Sequence, residues 1–143
     1  MGVPMYKQIL VAVDGSEHSH RAAKHAAQLA SLCPGVAVEV LYILEFDRTR
    51  SDVLDNASSD DLHIDRKKRL IPIEEAFEQF QVPYKLVIKH GDPGPIIVHF
   101  ANSGAFDLVV LGSRGLNLFQ EMVLGSVSHK VAKRVTAPVL IVK

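Results

Sequence analysis

Short runs of apolar residues, each ended abruptly by glycine, aspartate or a polar turn, are the feature that most restricts the fold of this chain. Residues 9–13 form one such run before Asp14, and residues 108–111 form another between Asp107 and Gly112. Strands without polar alternation are typical of a parallel sheet that helices cover on both faces. Three further strands are predicted, at residues 36–44, 84–89 and 138–142.

Four segments with helical features separate these strands. The first begins after Ser16, a typical N-cap residue, and runs to about residue 32, before Pro34-Gly35. Residues 62–81 form the second, and Pro72 inside it predicts a kink or a division into two segments. Two shorter helices are predicted, one that ends at Ser103-Gly104 and one that begins near Ser126.

Strands that alternate with helices predict an α/β fold with one doubly wound, five-stranded parallel sheet and helices on both faces. A length of 143 residues suits a single domain, residues 1–143. Ligands of such sheets bind beyond the carboxyl ends of the strands, where neighbouring strands wind in opposite directions. Residues 45–61 have no periodicity and many polar side chains, which predicts a surface loop long enough to form a flap on the ligand side.

Glycines and serines follow the fourth predicted strand in a spacing suited to anion binding. Gly112 and Gly115 come directly after the strand, and Gly125 with Ser126 and Ser128 stands where the last helix begins. Glycine permits positive φ and close approach of a ligand, while a helix start offers free N–H groups and a positive dipole end. The spacing therefore predicts a phosphate-binding loop, with an ordinary glycine turn and helix start as the alternative.

The same residues carry a resemblance to a known family. The pattern G-x2-G-x9-G-S at Gly112, Gly115 and Gly125-Ser126, with Val-Ala-Val-Asp-Gly-Ser near the start and Ala-Pro-Val-Leu-Ile-Val near the end, resembles the ATP-binding class of the universal stress protein family. The resemblance implies the strand order 3-2-1-4-5, which places Asp14 and Gly112 on opposite sides of one crevice. It also implies bound ATP, or AMP or ADP, with Mg²⁺ or Mn²⁺ accompanying the phosphates.

By the same resemblance, the end of the first strand contacts the adenosine half of the nucleotide through Ala12, Val13 and Asp14. Without the family, Asp14 would be interpreted as an Asx turn or a cap for the following helix. Ile43 aligns with a position whose backbone meets the adenine, and is otherwise a core residue. Arg114 either reaches a phosphate or the ribose, or is an ordinary solvated arginine. The residues expected around the phosphates are Gly112, Ser113, Arg114, Gly115, Gly125, Ser126, Val127 and Ser128.

Two better-known nucleotide motifs are absent from the sequence. No G-x-G-x-x-G follows the first strand and no G-x4-G-K-[ST] occurs anywhere, which argues against a dinucleotide dehydrogenase and a P-loop NTPase. No general base or carboxylate pair is evident, so we expect no catalytic residues and slow hydrolysis or none. The resemblance implies a stress-response protein that holds ATP as a regulatory ligand. Two alternatives stay open: a hydrolase or transferase that uses the same crevice, and an interaction module without nucleotide.

Composition and spacing exclude other classes of partner. His18, His20 and His25 are not spaced to place a metal-ligand pair on one helical face, so no metal site is predicted. Sixteen basic residues balance sixteen acidic ones, which argues against nucleic acid or an anionic membrane as the main partner. No apolar run approaches the roughly 18–20 residues that span a bilayer. A single cysteine and the lack of an apolar signal segment before residue 9 favour a cytoplasmic location.

The last predicted strand, from Pro138 to Val142, is almost wholly apolar and is followed only by Lys143. In the strand order that the resemblance implies, this strand lies at an edge of the sheet. An uncovered apolar edge invites aggregation, and two copies that pair antiparallel about a two-fold axis would satisfy both edges. We therefore expect a homodimer through this strand, with a monomer whose edge is shielded by a neighbouring loop as the alternative.

Overall fold

The computed structural model of the chain describes residues 5–44, 59–113 and 125–143. Strands and helices alternate through these ranges. The strands are β1 (Gln8–Val13), β2 (Ala37–Leu44), β3 (Lys85–His90), β4 (Leu108–Gly112) and β5 (Val139–Val142). The helices are α1 (Glu17–Ser31), α2 (Ser59–Gln79), α3 (Pro93–Ser103) and α4 (Ser126–Arg134).

The strands form one parallel sheet in the order β3-β2-β1-β4-β5. β1 lies at its centre, with Val11 opposite Val40 of β2 on one side and Val110 of β4 on the other. After β1 the chain adds β2 and β3 on one side, and it then crosses over to add β4 and β5 on the other. The doubly wound α/β sheet and the strand order 3-2-1-4-5 expected from the sequence are confirmed.

Two apolar layers enclose the sheet because successive residues of a strand point to opposite faces. Ile9 and Val11 pack in the layer with α1 and α2, while Leu10 and Ala12 pack in the layer with α3 and α4. Small residues let α1 lie close to the sheet, and all of its alanines are buried: Ala22, Ala23, Ala26, Ala27 and Ala30.

Helix α2 differs from the prediction in two ways. It begins at Ser59, so residues 59–61 of the predicted loop are helical, and residues 45–58 lie outside the described ranges. It also continues through Pro72 as one helix, so the predicted division into two segments is wrong. Proline removes one helical hydrogen bond, but Leu70, Ile73 and Phe77 are buried in the core and hold α2 to the sheet on both sides of Pro72.

Gly112 belongs to a strand rather than to the turn after it. It is the last residue of β4 and lies opposite Val142 of β5, so the strand is one residue longer than predicted. The first glycine of the predicted loop is therefore held within the sheet. Among the described residues, no helix combines the length and apolar character needed to cross a membrane.

Candidate functional site

The carboxyl ends of β1 and β4 form a crevice at the centre of the sheet. The helices that follow these neighbouring strands, α1 and α4, lie on opposite faces, so the two strand ends are a switch point in the winding of the chain. Asp14 follows β1 and Ser113 follows β4. Open α/β sheets bind ligands at such switch points.

Three predicted contact residues at the ends of β1 and β2 are buried, with different orientations. Ala12 and Ile43 lie in the apolar layer that contains α3 and α4. Val13 lies in the opposite layer, with α1 and α2. A ligand on the α4 side of the sheet would therefore meet the side chains of Ala12 and Ile43 but only the backbone of Val13.

The turn after β1 is shaped by three successive residues. Oδ1 of Asp14 accepts a hydrogen bond of 2.9 Å from the backbone N–H of Ser16. Gly15 adopts φ +86°, and a Cβ added there would lie 3.1 Å from Cδ of Arg69. Ser16 caps α1, because its Oγ accepts from the N–H of Ser19 at 3.2 Å. The Asx turn and the predicted N-cap are both present, and Oδ2 of Asp14 makes no hydrogen bond within the described residues.

Glycine permits a positive φ, but neither Gly112 nor Gly125 adopts one. Gly125 has φ −59° and is the N-cap residue of α4. Gly112 is required for close approach, because a Cβ there would lie 2.9 Å from the backbone C and O atoms of His18 in the first turn of α1. Positive φ, which glycine permits, is therefore not used at these two positions, and the close neighbour of Gly112 is helix α1.

Hydrogen bonds close the base of the loop between β4 and α4. Ser113 donates its N–H to the carbonyl of Val142 at 2.8 Å, and its own carbonyl accepts from the N–H of Gly125 at 2.9 Å. Ser128, which is 2% exposed, donates its hydroxyl to the carbonyl of Gly112 at 2.7 Å. The single hydroxyl proton of Ser128 is thus engaged in holding the two ends of the loop together.

The amino end of α4 supplies groups that suit an anion. The N–H of His129 donates to the carbonyl of Gly125 at 2.9 Å, so the N–H groups of Ser126, Val127 and Ser128 precede the helical hydrogen bonds. These N–H groups and the helix dipole favour negative charge at this end of α4. The other residues predicted for the loop, Arg114 and Gly115, lie outside the described residues.

Two residues of α1 join the site although the sequence did not single them out for it. Nδ1 of His18 lies 3.4 Å from Oγ of Ser113, and Nη2 of Arg21 lies 3.0 Å from the same His18 nitrogen. The sequence predicts only a solvated or packing histidine at this position. No local signal could have revealed the contact, because His18 and Ser113 are 95 residues apart and meet only when α1 packs on β4.

A separate open groove of about 810 Å³ lies over β3 and α3. Its lining includes the charged residues Glu39, Lys85 and Lys89 and the aromatic pair Phe100 and Phe106. It contains none of the residues predicted to bind a nucleotide, so it is distinct from the crevice between β1 and β4. Across the described residues, no three His, Cys, Asp or Glu side chains lie close enough to hold a metal ion.

Comparison with known sequences identifies relatives along nearly the whole chain. A model described as the universal stress protein family matches residues 5–143. Universal stress protein YxiE of Bacillus subtilis is 34% identical over an alignment that covers 97% of this chain and 100% of that protein.

Solved structures share the fold. The structure of MJ0577, a protein of Methanocaldococcus jannaschii, is similar to this chain with a TM-score of 0.77 and 31% identity, covering 97% of this chain and 96% of the other. A universal stress protein in complex with cAMP is similar with a TM-score of 0.71 at 22% identity, covering 97% and 98%. A universal stress protein family protein of Arabidopsis thaliana with AMP bound is similar with a TM-score of 0.65 at 22% identity, covering 96% and 91%.

Proposed function

Since the chain belongs to the universal stress protein family, we propose that it is a stress-response protein that binds ATP as a regulatory ligand in the crevice between β1 and β4. The observation that carries this proposal is the amino end of α4. There the N–H groups of Ser126, Val127 and Ser128 precede the helical hydrogen bonds, beside the ends of both strands. Two proteins of the same fold, solved with cAMP and with AMP, support an adenine nucleotide as the ligand class.

The phosphates would lie against the amino end of α4. Free N–H groups and a helix dipole bind phosphate without a lysine, which suits a protein that has no P-loop. Two hydrogen bonds hold the ends of the loop at a set separation: the N–H of Gly125 donates to the carbonyl of Ser113, and the hydroxyl of Ser128 donates to the carbonyl of Gly112. In this proposal Arg114 and Gly115, in the loop itself, complete the phosphate contacts.

The adenosine half would lie over the ends of β1 and β2. The side chains of Ala12 and Ile43 face the α3/α4 layer and offer an apolar surface to the base. Val13 would contribute only backbone groups. Oδ1 of Asp14 is engaged by the N–H of Ser16, which leaves Oδ2 to accept a hydrogen bond from a ribose hydroxyl.

Hydrolysis is proposed to be slow or absent. The sequence lacks the lysine and metal-binding hydroxyl of a P-loop, which drive transfer of the terminal phosphate in that class. A divalent ion, Mg²⁺ or Mn²⁺, would accompany ATP mainly through phosphate oxygens, because Mg²⁺ commonly keeps several waters and few protein ligands. The single cysteine supports a cytoplasmic setting for this function.

Removal of one α4 amide tests the site. Ser126 is the first residue of α4, where proline is tolerated, and Gly125 before it has φ −59° and ψ 153°, which suit a residue that precedes proline. Ser126→Pro therefore removes one N–H without breaking the helix. We expect ATP affinity, measured by isothermal titration, to fall by about tenfold or more, because hydrogen bonds to charged groups are among the stronger ones.

Ser126→Ala is the matched control, since it removes the hydroxyl but keeps the N–H group. Its affinity for ATP should lie much nearer to that of the unmodified protein. Equal ATP affinity in Ser126→Pro and in the unmodified protein, with the variant shown to be folded by circular dichroism, would place the nucleotide elsewhere.

We also propose that the protein forms a homodimer through β5. The carbonyl of Pro138 accepts a hydrogen bond from Val109 of β4, and the carbonyl of Val142 accepts one from Ser113 directly after β4. By strand alternation the N–H and C=O groups of Val139 and Ile141 therefore point to the open side of β5. β5 is the last strand of the sheet, and its side chains are only half-buried. The other edge strand, β3, carries lysines at residues 85 and 89, which discourage edge pairing.

A further inference from the structure

The side chain of Arg21 joins three parts of the chain at the end of the sheet. Its Nη1 lies 3.1 Å from Oε1 of Glu17, one turn earlier on α1. Its Nε donates a hydrogen bond of 3.1 Å to the backbone oxygen of Lys143, directly after β5. Its Nη2 lies 3.0 and 3.4 Å from the two ring nitrogens of His18, so this nitrogen sits over the imidazole. The planar fork of a guanidinium can serve three partners at once, which a lysine cannot.

His18 links Arg21 to Ser113, the first residue of the loop between β4 and α4, which is called the nucleotide loop below. Its Nδ1 lies 3.4 Å from Oγ of Ser113, and its backbone is packed so tightly on Gly112 that no Cβ fits there. Ser113 is also bound directly to β5, because its N–H donates to the carbonyl of Val142 at 2.8 Å. The end of β5 thus contacts Ser113 by two routes, one through the sheet and one through Arg21 and His18.

We propose that Arg21 is a positioning residue that couples the end of β5 to the nucleotide loop, so that nucleotide binding and the pairing of two copies along β5 strengthen each other. The inference rests on the proposed nucleotide site and dimer. Pairing along β5 restrains Val142 and Lys143, whose backbone oxygens accept hydrogen bonds from Ser113 and Arg21. A nucleotide seated on the loop restrains Ser113 from the other side. Coupling of this kind must act equally in both directions.

The coupling is measured as the effect of ATP on the dimer. Sedimentation equilibrium of the full chain gives the dimer dissociation constant with and without saturating Mg-ATP, and isothermal titration gives ATP affinity. We expect ATP to tighten the dimer by about 3- to 10-fold, at the lower end of typical coupling because the Arg21 contacts are exposed. In Arg21→Met the ratio of the dimer dissociation constants without and with ATP should fall to about one, while ATP still binds. Arg21→Lys, which can keep one contact, should retain part of it.

Lys24→Met is the matched control, since Lys24 is an exposed cation on the same helix, outside the Arg21 contacts. This variant should keep the full effect of ATP on the dimer. Three results are distinguished. The absence of ATP binding to the unmodified protein refutes the proposed function itself. ATP binding that leaves dimerisation of the unmodified protein unchanged refutes the coupling, and this result needs no variant. An ATP effect of equal size in Arg21→Met refutes the role of Arg21.

Discussion

At the scale of single residues, Gly112 belongs to the proposed nucleotide-binding motif and also meets a packing requirement. A Cβ at Gly112 would lie 2.9 Å from backbone atoms of His18, which cannot move without shifting α1 against β4. We expect Gly112→Ala to lower the free energy of unfolding by about 1–3 kcal/mol, the usual cost of overpacking. Chemical denaturation would measure this change.

Gly94→Ala provides the comparison for that experiment. A Cβ at Gly94 would also meet an atom at 2.9 Å, but that atom is Cδ of the flexible Lys130 side chain, which can rotate away. Gly94 lies in the first turn of α3 directly before Pro95, and proline restricts the backbone of a preceding residue that carries a Cβ. The Gly94→Ala protein should therefore lose less stability than the Gly112→Ala protein, and similar losses in both variants would show that Gly112 has no special packing role.

Asp107 links the starts of β1 and β4, at the opposite end of the sheet from the crevice. Its Oδ2 accepts hydrogen bonds from the N–H groups of Lys7 at 2.7 Å and Gln8 at 2.9 Å, and these bonds lower the pKa of the carboxyl below its ordinary value of 3.8. A lowered pKa in the folded state stabilises the fold above the unfolded pKa. That contribution is lost as pH falls from about 3.8 through the folded value.

We therefore expect Asp107→Asn to be less stable than the unmodified protein at neutral pH, with the difference shrinking below about pH 4. Thermal unfolding of both proteins between pH 3 and 7 would measure it. A difference in stability that stays constant across this range would mean that the ionised carboxylate is not what the backbone N–H groups stabilise.

At the scale of elements, the direction of the backbone groups of β5 decides how its edge can be tested. The N–H of Ile141 points away from β4 by strand alternation, so Ile141→Pro removes a group from the open edge and spares the bonds to β4. We expect this variant to stay folded and to shift from dimer to monomer in sedimentation at micromolar concentration.

Two further variants complete that experiment. Ile141→Ala loses the same side-chain packing but keeps the N–H group, so it should dimerise more tightly than Ile141→Pro. Leu140 lies opposite Val110 and directs its N–H toward β4, so Leu140→Pro should unfold or loosen the sheet itself. A folded Ile141→Pro protein that remains fully dimeric would show that the dimer interface does not lie along β5.

At the scale of the whole molecule, the proposed function is ATP binding without rapid hydrolysis, which distinguishes this protein from an enzyme of similar fold. The chain has the strand order, the crevice and a helix start suited to phosphate, without the P-loop motif that supports rapid transfer. We expect phosphate release from Mg-ATP to be far slower than the rates of about 1–10 per second usual for enzymes. Steady release at such rates, abolished by Ser126→Pro, would support the hydrolase alternative instead.

The sequence by itself determined the kinds and the order of the elements. Continuous apolar runs at residues 9–13 and 108–111 predict strands buried on both faces, and the helical segments between them predict parallel pairing. The Ser16 cap and the start of α4 after Gly125 could also be predicted from the sequence, because capping depends on residues adjacent in the chain. The strand order came from the family resemblance, since periodicity records which face of an element is buried but not which neighbour buries it.

Tertiary structure alone decided how residues far apart in the chain meet. The sequence could not show that Gly112 makes room for His18, or that His18 lies beside Ser113, because both contacts depend on how α1 packs across β4. It also predicted a kink or a division into two segments at Pro72, but α2 is one helix there because packing on the sheet outweighs the lost hydrogen bond. Local preferences are set by neighbours in the chain, whereas contacts across the sheet are set by the burial of apolar surface shared between distant elements.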